Sequence, residues 1–263
     1  MIWKIAPEVV WLAYMSDRLI ASHESEVPSL KTVGIIGGMG QWATLDIMRR
    51  ILKNAVAYPI PQYGNRGYPA MELRMLNRAP MFLNSDGSYP EKLEPSEFLL
   101  DAARSVGALS DFIIVTSNTA HVFAKQIEAA AGKPLLSLID VAVSEVLRKQ
   151  YRKVGIMAIG VTIREGLFQK PLAAAGIECI VLPEELGKRL DDEGVYQVQE
   201  GAEPSEHLAI AFEALEYLKA QGAEAVILGC TEIPLLLGEA ADAEGIINPS
   251  ELIARAVIEN AIL

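Results

Sequence analysis

Asp111–His121 reads DFIIVTSNTAH, and Glu224–Pro234 repeats its plan as EAVILGCTEIP. Each is an apolar run that ends in a nucleophile-type side chain followed by small polar residues. Short β-branched runs of this kind predict buried parallel strands covered by helices on both faces. Open α/β sheets gather their ligands at the carboxyl ends of the strands. Ser117 and Cys230 therefore stand at matching places in two copies of one device, and the remaining chain is read as the frame that brings them together.

The copies extend beyond these tips. Lys31–Gly40, KTVGIIGGMG, and Lys153–Gly160, KVGIMAIG, each read as a strand entering a turn, with Val33-Gly34-Ile35 matched by Val154-Gly155-Ile156. The strand starts are 121 positions apart and the nucleophile positions 113 apart, which points to a duplication: two βα-rich halves facing each other across one cleft. Helices are expected at Ala43–Ala57, Pro95–Leu109, Val122–Ala131, Val141–Gln150, Glu165–Ala175, Glu184–Glu200, Pro204–Gln221 and Pro249–Leu263. Further strands are expected at Ala70–Leu76, Leu135–Ile139, Glu178–Leu182 and Ile246-Ile247.

With 263 residues, 51% of them apolar and 22% charged, the chain is globular and has ample material for a core. A net charge of −11 argues against nucleic-acid and anionic-membrane partners, which call for a basic face. Two cysteines, Cys179 and Cys230, are too few for a disulfide framework and read as free thiols of a cytoplasmic protein. Met1–Ala21 is apolar, but Glu8, Asp17 and Arg18 interrupt it and no cleavage signal follows, so it reads as an amphipathic helix rather than a targeting or membrane-spanning segment. Three scattered histidines without Cys/His spacing give no metal site.

The strand, glycine turn and helix start at Val33–Thr44 form a candidate anion cradle, with Met39 and Gly40 in the turn; the sequence matches neither the dinucleotide fingerprint nor the P-loop. A plain tight turn accounts for the glycines equally well. Tyr58–Glu94 is rich in Pro, Gly, Asn and Tyr, and loops of this length are often functional. Arg78 within it is either a surface residue or a guanidinium that clamps a carboxylate. Thr162 lies at the turn of the second copy.

Two groups converging on one carbon from opposite sides suit removal of a proton from one face and its return to the other. Cys230 is suited to this, because a thiol's pKa of about 8.5 can be lowered at a helix start, which is expected here. Backbone N–H groups around Asn118-Thr119 and Thr231-Glu232 are placed to stabilise an enolate-like oxygen. Ser117 is a far weaker acid and needs a base; His121, four residues on, either supplies one or simply packs. Cys179, inside ECIVL, reads as a core thiol, and His23 and His207 as solvated residues.

VGIIGGMGxxAT, SNTAH and GCTEIPLLL, in that order, resemble the aspartate/glutamate racemase family over Lys31–Leu263. The resemblance implies an α/β fold of two pseudo-twofold-related subdomains, each a parallel sheet flanked by helices, with the active site in the cleft between them. It further implies a homodimer and racemisation without pyridoxal phosphate or metal. The family's two catalytic cysteines correspond to Ser117 and Cys230, and Asn118, Thr119 and Arg78 fall on its substrate-binding positions. Ser117 in place of the first cysteine, and Gln41 in place of a proline, depart from the pattern. The expected organisation is an extension at 1–30, a first subdomain at 31–136 on which 249–263 packs back, and a second at 137–248.

The reading that follows is a racemase of an acidic amino acid, aspartate or glutamate, with Cys230 and Ser117 as the acid/base pair and Arg78, Asn118, Thr119, Thr162, Thr231, Met39 and Gly40 around the substrate. A single-thiol decarboxylase or isomerase of a small diacid is the alternative. Ser117 also suits an impaired or Cys-to-Ser form that binds without turnover.

Overall fold

The computed structural model describes residues 29–58, 67–85 and 88–262. The expected amino-terminal helix, Met1–Ala21, and His23 lie outside them. Two four-stranded, wholly parallel sheets carry the fold. In the first, β1 (Val33–Gly37), β2 (Met71–Met75), β3 (Phe112–Val115) and β4 (Leu135–Leu136) take the order β2-β1-β3-β4. In the second, β5 (Lys153–Met157), β6 (Glu178–Val181), β7 (Ala225–Leu228) and β8 (Ile246–Ile247) repeat it as β6-β5-β7-β8. The central strand of each pairs through matching residues: Ile35 faces Ile114, and Ile156 faces Ile227. In both sheets the chain leaves the first strand towards one edge and returns on its other side, so a crevice opens at the carboxyl ends of the first and third strands.

Alternation along the strands explains why these runs are apolar throughout. Val33, Ile35, Phe112 and Ile114 pack into one layer, and Ile36, Ile113 and Val115 into the opposite one. The second half does the same, with Val154, Ile156 and Ile227 on one side and Met157, Val226 and Leu228 on the other.

The layers are filled by α1 (Gln41–Ala57), α2 (Glu97–Gly107), α3 (Ala124–Ala131), α4 (Leu138–Arg148), α5 (Gly160–Glu165), α6 (Gln169–Ala174), α7 (Glu184–Leu190), α8 (Tyr196–Gln199), α9 (Pro204–Ala220), α10 (Ile233–Leu237) and α11 (Pro249–Ile262). The last of these crosses back to the first half. Its Ile253, Ala254, Val257 and Ile258 pack against Val33, Ile35, Ile47 and Ile51, and Lys31 N–H donates to the Ala261 carbonyl at 2.9 Å. Among the described residues no helix is long and apolar enough to cross a membrane.

Several expected elements are cut shorter. β4 stops at Leu136 because Ser137 accepts hydrogen bonds from Ile139 and Asp140 N–H and caps α4. The Val122–Ala131 helix begins as a 3₁₀ turn over Thr119–Phe123. Gly166, with φ of 66°, ends α5 and divides the helix expected at Glu165–Ala175. The single helix expected over Glu184–Glu200 is interrupted by a π-helical turn, Asp191–Val195, between α7 and α8.

Candidate active site

A cavity of about 320 Å³ opens where the two crevices meet. Its walls include Met39, Gly40, Arg78, Ser117, Asn118, Thr119, Cys230 and Thr231, and also Gln41, Tyr89, Tyr196, Gln199 and Glu232. Ser117 follows β3 and Cys230 follows β7, and both are buried. Thr162 is placed differently: it is fully buried behind the wall, where its hydroxyl meets that of Thr119 at 2.8 Å.

That threonine pair is one of the ties across the halves. Thr231 Oγ1 donates to the Thr116 carbonyl at 3.4 Å. A Cβ placed on Gly40 would overlap Glu232 Oε1, so this glycine is required for Glu232 to lie over the start of α1. Thr44 holds the turn beneath, accepting from Gly38 N–H at 3.0 Å and meeting Thr116 Oγ1 at 2.8 Å. The anion that approaches the glycine turn is thus the protein's own carboxylate, at the positive end of the helix.

Cys230 Sγ donates to Glu232 Oε2 at 3.0 Å, and Thr231 Oγ1 lies 3.3 Å from the same oxygen. Burial and then the Glu232 carboxylate push the thiol well above its ordinary range. Burial also raises Glu232, opposed by the hydrogen bond from Cys230. The expected lowering of the thiol by a helix start is therefore reversed: α10 begins only at Ile233, and a buried thiol beside a carboxylate keeps its proton. Glu232 Oε1 makes no hydrogen bond of full geometry among the described residues, although the Gln199 amide is close enough to favour the carboxylate, and neither polar atom of the Asn118 amide has a partner.

The opposite face is different. His121 Nδ1 lies 2.8 Å from the Ser117 carbonyl, and its Nε2 accepts from Leu138 N–H at 3.1 Å. With both nitrogens committed, and with burial lowering its pKa, the ring is a neutral structural tie with its proton on Nδ1. It is not available as a base for Ser117, whose hydroxyl has no hydrogen-bond partner among the described residues. Cys179 is half-buried on β6, away from the cavity lining, and burial raises its pKa. His207 Nδ1 lies 2.7 Å from the Glu193 carbonyl.

Arg78 stands three residues beyond β2 with its guanidinium 4.8 Å from the centre of the Phe98 ring. Tyr89 and Tyr196 have phenols raised chiefly by burial, so both remain neutral donors. Neither tyrosine was singled out in the sequence: one lies in the long loop region and the other follows the π turn. Glu232 enters the sequence reading as a neighbour of Cys230 and through its backbone N–H, not through its carboxylate; the available signal is its spacing two residues after the thiol. Among the described residues no group of three or more His, Cys, Asp or Glu could hold a metal ion.

Comparison with known proteins agrees with this arrangement. The chain is 23% identical over 230 residues to the broad-specificity amino-acid racemase RacX of Bacillus subtilis, covering 86% of this chain and 96% of that protein. It is 29% identical over 131 residues to the glutamate racemase of Aquifex aeolicus, about half of each chain (49% and 49%). The structure of an aspartate racemase homologue from Pyrococcus horikoshii superposes with a TM-score of 0.66 at 25% identity, covering 88% of this chain and 99% of that one. Picrophilus torridus aspartate racemase shares the fold, with a TM-score of 0.70 at 21% identity over 88% and 94%. The sequence model of the Asp/Glu/hydantoin racemase family matches residues 36–257, and the chain belongs to that family of isomerases.

Proposed function

We propose that this protein racemises an acidic amino acid, aspartate or glutamate, by moving the α-proton through Cys230 and Glu232 without pyridoxal phosphate or a metal. The observation that carries the reading is the 3.0 Å contact between Cys230 Sγ and Glu232 Oε2 in the cavity that Ser117 also lines. For abstraction, Glu232 takes the thiol proton and the resulting thiolate takes the proton from the α-carbon; the electron pair of the broken C–H bond moves into the carboxylate as an enediolate. Asn118 and nearby backbone N–H groups are the donors for that charge. For return to the other face, Ser117 must give its hydroxyl proton, and no base stands behind it. Exchange on the Cys230 face should therefore outrun inversion.

The experiment is α-proton exchange in deuterated water, followed by NMR, for each enantiomer of aspartate and glutamate. Exchange that disappears in Cys230→Ala supports the assignment, and exchange that survives the substitution sinks it. The unaided hydroxyl of Ser117 also favours a second reading, a single-thiol decarboxylase or isomerase of a small diacid. Carbon dioxide release from a malonate, or interconversion of maleate and fumarate, would establish that one instead.

A cytoplasmic homodimer completes the reading. Trp42, Leu45, Leu52 and Val56 form an exposed apolar stripe at helical spacing along α1, a surface suited to a second copy. Light scattering on the purified chain tests the oligomeric state.

A further inference from the structure

A further cavity, of about 450 Å³, opens at the carboxyl ends of β5 and β6, on the other side of β5 from the strand that leads to Cys230. Its size is that of a small-molecule site. Ile156, Ala158, Ile163 and Leu182 give it apolar walls, and Tyr196 lines both this cavity and the one between the halves. We propose that it binds an α-amino acid with an apolar side chain, the ammonium held by Asp191 and the carboxylate by Lys188. An occupant here adjoins the reacting site through Tyr196 without entering it.

Asp191 supplies the first half of the argument. Its Oδ2 accepts from Gly160 N–H, at the start of α5, at 3.1 Å. Its Oδ1 is buried and has no hydrogen-bond partner among the described residues. A single N–H leaves most of a carboxylate's acceptor capacity unused, and a buried oxygen is costly until a donor reaches it. Burial, foremost, raises the pKa of Asp191 to about 6, which leaves it ionised at neutral pH. The same residue opens the π-helical turn Asp191–Val195, and such turns cluster at functional sites.

Lys188 supplies the second half. It lies three residues before Asp191 on a continuous helical path, so the two side chains share one face. Lys188 has no ion-pair partner among the described residues, whereas the other cation of the lining, Arg164, bonds Glu165 at 2.9 Å. Glu184 and Asp192 also border the cavity, but both are exposed and screened by water. A plain amine would meet Lys188 as a like charge, and a plain carboxylic acid would meet Asp191 as one. A zwitterion satisfies both, and its side chain then has the apolar walls to cover.

The test uses leucine and phenylalanine as probes, with calorimetry on the full chain and on Asp191→Asn, Lys188→Gln and Cys230→Ala. Asparagine keeps an acceptor for Gly160 N–H, and Lys188 is exposed, so neither change should disturb the fold. Wild type and Cys230→Ala should bind the probes alike. Asp191→Asn should bind them about 10- to 100-fold more weakly, the range of a charge-assisted contact. Lys188→Gln should lose about two- to fivefold, as for an exposed charge. Isoamylamine and isocaproate, which keep the side chain of leucine without its carboxylate or its ammonium, should both bind more weakly than leucine. Absence of binding at about millimolar probe overturns the proposal. Affinity unchanged in Asp191→Asn or in Lys188→Gln overturns it too, as does isoamylamine binding as tightly as leucine. Binding that is lost in Cys230→Ala, or displaced by aspartate, would put the probe in the cavity between the halves and overturn it as well.

Discussion

Gly40 and Glu232 come from opposite halves of the chain and touch so closely that a methyl group on Gly40 would overlap Glu232 Oε1. The glycine also has φ of 151°, outside the range comfortable for other residues. Gly40→Ala should displace the carboxylate from the thiol and lower α-proton exchange by about 100-fold, the usual cost of roughly an ångström of misplacement. Exchange kinetics measured alongside the rate of Cys230 alkylation check this, since a displaced Glu232 leaves a more acidic thiol.

Replacing the carboxylate itself separates charge from position. Glu232→Gln should lose about 10²- to 10⁴-fold in exchange rate, the range expected for a missing acid/base group. Wild-type abstraction needs Glu232 ionised, to take the thiol proton. Because burial raises Glu232, the acid limb should lie above the ordinary 4.5 of a glutamate. In Glu232→Gln that limb should vanish, and exchange should instead rise with pH as the thiol itself ionises, at a pKa lowered by the loss of the neighbouring charge. A pH–rate profile of each form reads the change.

Ser117 offers the reciprocal experiment. A thiol at this position can ionise at a pKa of about 8.5, where an unaided hydroxyl cannot. Ser117→Cys should therefore raise the ratio of inversion to exchange at least about tenfold. Polarimetry run beside proton exchange gives that ratio directly.

Away from the chemistry, Arg50 is 5% exposed and bonds Asp46 at 2.7 Å, Asp242 at 3.0 Å and Glu251 at 3.0 Å. Burial opposes its charge, but Asp46 and Asp242 outweigh that and raise its pKa. It thereby ties α1 to α11 and to the turn before β8. Arg50→Met leaves the buried Asp46 with only the exposed Arg49 as counter-ion and should cost about 3 kcal/mol, the low end for breaking a buried ion pair. Urea denaturation checks the loss, and the change should be in midpoint rather than in slope.

The fold and much of the site were legible in the sequence because their signals are local. Two apolar runs ending in SNTAH and GCTEIP locate strands and their tips together, and Met39, Gly40, Ser117, Asn118, Thr119, Cys230 and Thr231 all lie within a few residues of a strand end. The state of the thiol was not legible. It depends on burial and on a carboxylate held in place by a glycine 192 positions earlier, which no local pattern records. His121 is similar: whether it acts as a base or a tie is decided by the backbone of Leu138, which donates to its Nε2. Tyr196 was hidden by reading Glu184–Glu200 as one regular helix, where a π turn shifts the residues that follow it.

The return of α11 to the first sheet has a consequence for how the molecule is made. Ile253, Val257 and Ile258 complete the cover that Ile47 and Ile51 of α1 begin over Val33 and Ile35, so one face of that strand stays only partly covered until residues past 258 have left the ribosome. The first half cannot be finished as an independent unit while the second is still being translated. Its glycine turn and Ser117 reach their final setting only when the closing helix docks, and the appearance of activity on a nascent chain would mark the arrival of that helix.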